Sequence, residues 1–146
     1  MKKYIYILLI SFLLIIIFWY KKSSEKEIQN SKNALSNNVI FKGKINYLKI
    51  SENHAFGIIG LEITESNIKN FEKKLGKKIF PYKIRNSYAE IYATVNIERK
   101  NGEIVEVVSD SSTIYYNPQN TNELGDLFLI SDPINIKFIK ENTKIK

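Results

Sequence analysis

The chain has 146 residues, one histidine, no cysteine and a net charge of +7, with 44% hydrophobic and 12% aromatic side chains. Without cysteine there is neither a disulfide nor a thiolate metal site, and one histidine cannot supply a multi-histidine metal centre. Setting aside Lys2, Lys3, Lys21 and Lys22, which flank an N-terminal apolar run, the 22 basic residues fall to 18 against 15 acidic ones, a balance of +3 that is no nucleic-acid footprint.

The apolar run is Tyr4 to Tyr20, YIYILLISFLLIIIFWY, whose only clearly polar side chain is Ser11. As a helix it rises about 25 Å, at the short end of what crosses a hydrocarbon core of roughly 30 Å. Tyr4, Tyr6, Trp19 and Tyr20 suit the membrane interface, and the flanking lysines can snorkel outward. Residues 1–22 are therefore expected to be an N-terminal transmembrane anchor, with the lipid bilayer as partner of Tyr4 to Tyr20. A cleaved signal peptide is the alternative. It would need small residues at the cut, whereas the run passes through Phe18, Trp19 and Tyr20 directly into Lys21 and Lys22. Lys21, Lys22, Lys26 and Lys32 lean toward a cytoplasmic C-terminal part, but a short basic N-terminus ahead of a first apolar segment is the layout of a signal anchor. The expectation is a single-pass protein of a bacterial inner membrane with its C-terminal domain on the exported side.

Residues 23–38, SSEKEIQNSKNALSNN, are polar and balanced in charge, the composition of a flexible linker. A helical continuation of the anchor reaches Leu35 at most, because Asn37 and Asn38 end it.

Residues 39–146 read as one β-rich globular domain, since β-branched and aromatic runs alternate with turn signals. Val39 to Ile50 and Ala55 to Thr64 form the first strand pair around a turn at Ser51 to His54. After Tyr47 the apolar residues change phase, which suggests a bulge, and Gly57 and Gly60 suggest bending or close backbone approach. Ser66 to Leu75 reads as the one helix of the domain, with Ile68, Phe71 and Leu75 on one face and Gly76 past its end. Strands follow at Ile79 to Ile84, Tyr88 to Ile97, Glu103 to Val108, Thr113 to Tyr116, Leu127 to Ile130 and Ile134 to Ile139, and the tail from Glu141 is expected to fray. The fold class is thus a transmembrane helix followed by a small, mostly-β (α+β) domain, an OB-like or other small β-barrel with one short helix.

Chemistry is sparse. The chain has no Gly-x-Ser-x-Gly elbow, His-Glu-x-x-His pair, phosphate loop or dinucleotide fingerprint. His54 lies in a predicted turn, and Asp110, Asp126 and Asp132 stand at predicted strand ends where they ordinarily bond backbone amides. No catalytic residue, metal site or cofactor is assigned. Two clusters are candidates for contacts. On the strand Tyr88 to Ile97, Ala89, Ile91, Ala93 and Val95 would face the core, which turns Tyr88, Glu90 and Tyr92 outward toward a ligand or partner. Lys73, Lys74, Lys77 and Lys78 either complement the end of the predicted helix or touch an anionic surface.

Gly43-Lys44-Ile45 followed by Ala55-Phe56-Gly57-Ile58-Ile59 resembles the opening hairpin of cold-shock domains, over about a seventh of the chain. The resemblance implies an OB-like geometry for that hairpin. Its spacing is longer, Ile58 replaces the second aromatic residue and no Phe-Val-His strand follows, so a nucleic-acid partner is not expected. The functional expectation is a non-enzymatic binding module at the cell envelope, acting on an envelope protein or glycan. A carboxylate-dependent hydrolase and an OB-like nucleic-acid-binding domain are the alternatives.

Overall fold

A computed structural model describes residues 2–119 and 123–145, without side-chain detail for residues 2–11 and residue 27. The chain divides into two compact units, Met1–Asn33 and Ala34–Lys146. Helix α1 (Lys2–Leu35) fills the first and ends at the junction, where Asn38 takes a left-handed φ of 55°. From Phe12 to Tyr20 every side chain of α1 is exposed and hydrophobic or aromatic. Among the described residues no helix is long and apolar enough to cross a membrane, and the first part of the expected span, Tyr4 to Tyr20, falls where side chains lie outside the described residues.

The second unit is mostly β. Its strands are β1 (Ile40–Ile50), β2 (Phe56–Ser66), β3 (Asn70–Phe71), β4 (Lys74–Leu75), β5 (Lys78–Ile79), β6 (Tyr82–Arg85), β7 (Tyr88–Thr94), β8 (Ile104–Val108), β9 (Thr113–Tyr116) and β10 (Glu123–Asp126), followed by helix α2 (Pro133–Asn142). Eight of the strands form one antiparallel sheet in the order β10-β9-β8-β1-β2-β7-β6-β3, and β4 pairs only with β5. The expected barrel is a correction: β10 and β3 are both edges, so the sheet stays open. A register shift lies beside Tyr47, where the phase change suggested a bulge, and a second one was not expected. The β1–β2 register shifts at Lys42/Gly43 and at Ile45/Tyr47, and such shifts bend and twist a long hairpin.

Bending lets one face of the sheet wrap its own core. Phe41, Ile45, Ile59, Leu61, Ile84, Ile91, Val105, Val107 and Ile114 are all buried there, with Leu35 and Val39 from the entry to the unit. Phe80 and Tyr82 meet edge to face at 4.9 Å, and Phe71 lies 5.1 Å from each. Tyr82 donates to Asn37 Oδ1 at 2.9 Å, and burial pushes its phenol up to about 12. The other face carries a smaller cluster of Phe56, Ile58, Tyr92, Ile130 and Ile139, with Phe138 of α2 set edge-on to Phe56 at 6.4 Å. Fully burying each such aliphatic contributes roughly 1.5–3 kcal/mol, so covering both faces of β2 and β7 makes them the best-anchored strands.

Two further expectations are corrected. The helix expected over Ser66 to Leu75 is instead the end of β2, then β3 and β4. Ser66 Oγ accepts from Ile68 N–H at 3.2 Å and Asn67 Oδ1 accepts from Ile40 N–H at 2.9 Å, so one capping residue closes a local turn and the other bonds β1 rather than a helix. A ten-residue helix is marginal without packing, whereas extended pairing half-buries Phe71 beside Phe80 and Tyr82. The strand expected over Ile134 to Ile139 is helix α2. Asp132 accepts from Asn135 N–H at 2.9 Å as N-cap and Pro133 opens the first turn, where its missing donor costs nothing. Leu127 to Ile130, also expected as a strand, keeps a single bridge from Ile130 to Ile79.

Candidate functional site

Register brings three strands together around Glu90. Tyr47 on β1 stands opposite Gly60 on β2, and Gly60 stands opposite Glu90 on β7. Because Gly60 has no side chain, the Tyr47 ring lies across it, where a Cβ would run into the ring. Its hydroxyl then donates to Glu90 Oε1. The same oxygen accepts from Lys144 N–H at 2.6 Å and Ile145 N–H at 3.3 Å, while Oε2 accepts from Tyr92 OH at 2.9 Å and Thr143 Oγ1 at 2.5 Å.

Glu90 is therefore completely buried with five donors on a carboxylate that offers about four lone-pair directions. Burial, with the contact to Glu90, holds both the Tyr47 and Tyr92 phenols well above their ordinary pKa, so both stay protonated donors. Lys144 Nζ caps the arrangement 3.8 Å over the Tyr47 ring. The group fastens residues 143–145 to the sheet and leaves no lone pair pointing at a substrate.

The expectation for β7 is thus half corrected. Ala89, Ile91, Ala93 and Val95 face the core and Tyr88 is 51% exposed. Glu90 and Tyr92, expected outside, are covered by α2 and the tail. The lysine cluster does not sit at a helix end. Lys73 donates to the Ala34 carbonyl at 3.0 Å and lies 5.5 Å over Phe80, Lys74 and Lys77 are exposed, and Lys78 is half-buried in the β4–β5 hairpin. Gly76, with φ +60°, makes that two-residue turn. His54 is exposed in its turn with φ 51°. Among the described residues no group of three His, Asp or Glu side chains could hold a metal ion.

A second feature lies where the sheet fails to close. A groove of about 710 Å³ is walled on one side by residues 93–97 at the end of β7 and on the other by β10. Arg99 forms part of its floor, with its guanidinium 3.8 Å from the centre of the Tyr116 ring and its side chain only 6% exposed. It pairs with Glu103 at 3.1 Å and with Glu123, while its Nε has no partner among the described residues. Ile97 (81% exposed), Leu124 (60%) and Phe128 (60%) line the open side. No family model, curated protein or solved structure matches this chain.

The groove was not legible in the sequence because β10 lies between the strands expected at Thr113 to Tyr116 and Leu127 to Ile130. The one available signal was Glu123-Leu124-Gly125-Asp126-Leu127-Phe128, where large apolar residues interrupt a polar connection.

Proposed function

We propose that this is a non-enzymatic, membrane-anchored module whose β domain binds a protein partner at the cell envelope through the groove between β7 and β10. The supporting observation is the pairing of a spent carboxylate with an idle apolar rim. Glu90, the buried acid, is used entirely to hold the tail, whereas Ile97, Leu124 and Phe128 are held in water beside a concave surface. A single exposed apolar residue is ordinary, but three around one groove suit a contact site. The anchor reading rests on the apolar stretch Tyr4 to Tyr20 and on the exposed side chains of its second half. Orientation toward the exported side follows from the short basic segment before that stretch.

Site-specific photocrosslinking in intact membranes tests this reading. A photoreactive residue at Phe128 should capture one discrete species that a probe at Lys44, exposed on β1, does not. Equal labelling from both positions, or recovery of the chain in the carbonate-soluble fraction, would remove the groove or the anchor respectively.

A further inference from the structure

Hydrogen-bond alternation in the two walls of the groove shows which backbone groups face into it. Leu127 N–H donates to the Ser112 carbonyl at 2.8 Å, in register with the β9–β10 ladder that pairs Leu124 with Tyr115 and Asp126 with Thr113. In an antiparallel ladder residues alternate between those that exchange hydrogen bonds and those that do not. Leu127, Gly125 and Glu123 therefore spend their amides on β9, and Leu124 and Asp126 turn theirs to the free edge. The same count applies across the groove. Val95 N–H donates to the Ala55 carbonyl at 2.9 Å, and Tyr92 N–H donates at 2.7 Å to the Pro81 carbonyl on the opposite side. Thr94 shares the parity of Tyr92, and beyond Pro81 the chain leaves β7, so Thr94 has its N–H and C=O turned toward the groove.

Edge strands are usually blunted by shortness, by lysine, by proline or by a bulge. The far edge, β3, obeys this rule with only two residues. β10 runs for four residues, ELGD, with neither lysine nor proline and with Leu124 exposed. Among the described residues lining the groove, negative charge outweighs positive. Glu123, Asp126 and Asp132 line it against Arg99 alone, and Arg99 is already engaged by Glu103 and Glu123.

We infer that the groove accepts an extended polypeptide segment carrying basic side chains, which adds as a strand along β10 and occupies the gap left by the open sheet. Main-chain bonds to Leu124 and Asp126 supply the register. Leu124, Asp126 and Phe128 share one parity, so guest side chains of one face meet all three: lysine stems pack on Leu124 and Phe128 while their ammonium groups reach Asp126 and Asp132. This deepens the proposed binding function and rests on it.

The test uses the full chain in nanodiscs and two fluorescein-labelled hexapeptides, Lys-Val-Lys-Val-Lys-Val and Glu-Val-Glu-Val-Glu-Val, followed by fluorescence polarisation. The basic peptide should bind at least tenfold more tightly than the acidic one, and its affinity should fall as salt rises. N-methylation of its alternate amides should abolish binding without any change to the protein. Leu124→Pro, which removes an outward amide only, should weaken binding at least tenfold, while Leu124→Ala keeps the amide and most of the affinity. Equal binding of both peptides, or tolerance of N-methylation on both sets of alternate amides, overturns strand addition. Self-association of the chain through Leu124, seen as a photocrosslinked dimer that excludes the peptide, overturns it in favour of a second copy as occupant. If Phe128 crosslinks a partner but the basic peptide fails, binding at the groove stands and strand addition falls; if both fail, both fall.

Discussion

Replacing Glu90 separates a structural latch from a catalytic acid. Glu90→Gln keeps the shape but loses the charge that strengthens five hydrogen bonds. The amide oxygen will take the Oε1 position, because the Lys144 and Ile145 amides can only donate, and the NH2 will face the Tyr92 and Thr143 hydroxyls, which can rotate to accept. Every bond survives as a neutral one, and charge-assisted bonds are roughly twice as strong. The expected loss is about 2–3 kcal/mol, and for a domain near this size a loss of that order lowers the melting temperature by roughly 10 °C. Glu90→Ala goes further. It orphans the two backbone amides at a penalty of about 1–3 kcal/mol each, so the tail should detach instead of remaining docked and unsatisfied. Thermal denaturation followed by circular dichroism gives the first quantity. Amide hydrogen exchange at Lys144 and Ile145 gives the second, with protection lost in Glu90→Ala and reduced in Glu90→Gln. A Glu90→Gln protein that melts with the wild type, or a Glu90→Ala protein whose Lys144 and Ile145 amides stay protected, would refute the latch.

Gly60→Ala should also destabilise, by about 1–3 kcal/mol, because the new methyl group meets a Tyr47 ring that Glu90 holds in place; urea denaturation measures it, and Gly60→Ala combined with Tyr47→Ala should recover part of the loss. Asp132→Ala removes the N-cap of α2 and should cost about 1 kcal/mol in the same assay. The Asn38 amide, at 2.8 Å, is the main reason the Asp110 carboxyl is held below its usual range, with Ser36 Oγ adding at 3.2 Å. A depressed folded pKa means that this contact stabilises above the unfolded pKa of about 3.9 and is lost as pH falls through the lower folded value. Exchange at Asn38 should therefore accelerate below about pH 4 relative to a core amide such as Ile91, and Asp110→Asn should abolish that acid dependence.

The parts of the fold visible in the sequence were those written locally. Alternation along Tyr88 to Val95 marked the core face of β7, the phase change after Tyr47 marked a real register shift, and Thr113 to Tyr116 is β9. The missed parts were those in which two local patterns competed. Ile134-Asn135-Ile136-Lys137-Phe138 alternates like a strand, but the Asp132-Pro133 start decides for a helix, and that helix is what covers Tyr92. Ser66 to Leu75 has helical spacing, yet Ser66 spends its side chain on a turn at Ile68 and Asn67 spends its own on β1. Neither the Glu90 latch nor the groove could be read locally. Glu90 meets Thr143 and Ile145 more than fifty positions away, and the groove exists only because β10 pairs with β9 and not with the end of β7.

The proposed binding function requires the exposed rim to serve a partner rather than the fold. The most direct measurement pairs stability and capture in one full-length double variant, Ile97→Ser with Phe128→Ser, carrying a photoreactive residue at Leu124. Exposed side chains contribute little to folding, so the unfolding free energy taken from the denaturation midpoint should stay within about 0.5 kcal/mol of the parent, while capture of the partner from position 124 should be lost. A midpoint that drops as far as for a core substitution, or capture that persists at the parental yield, would contradict it.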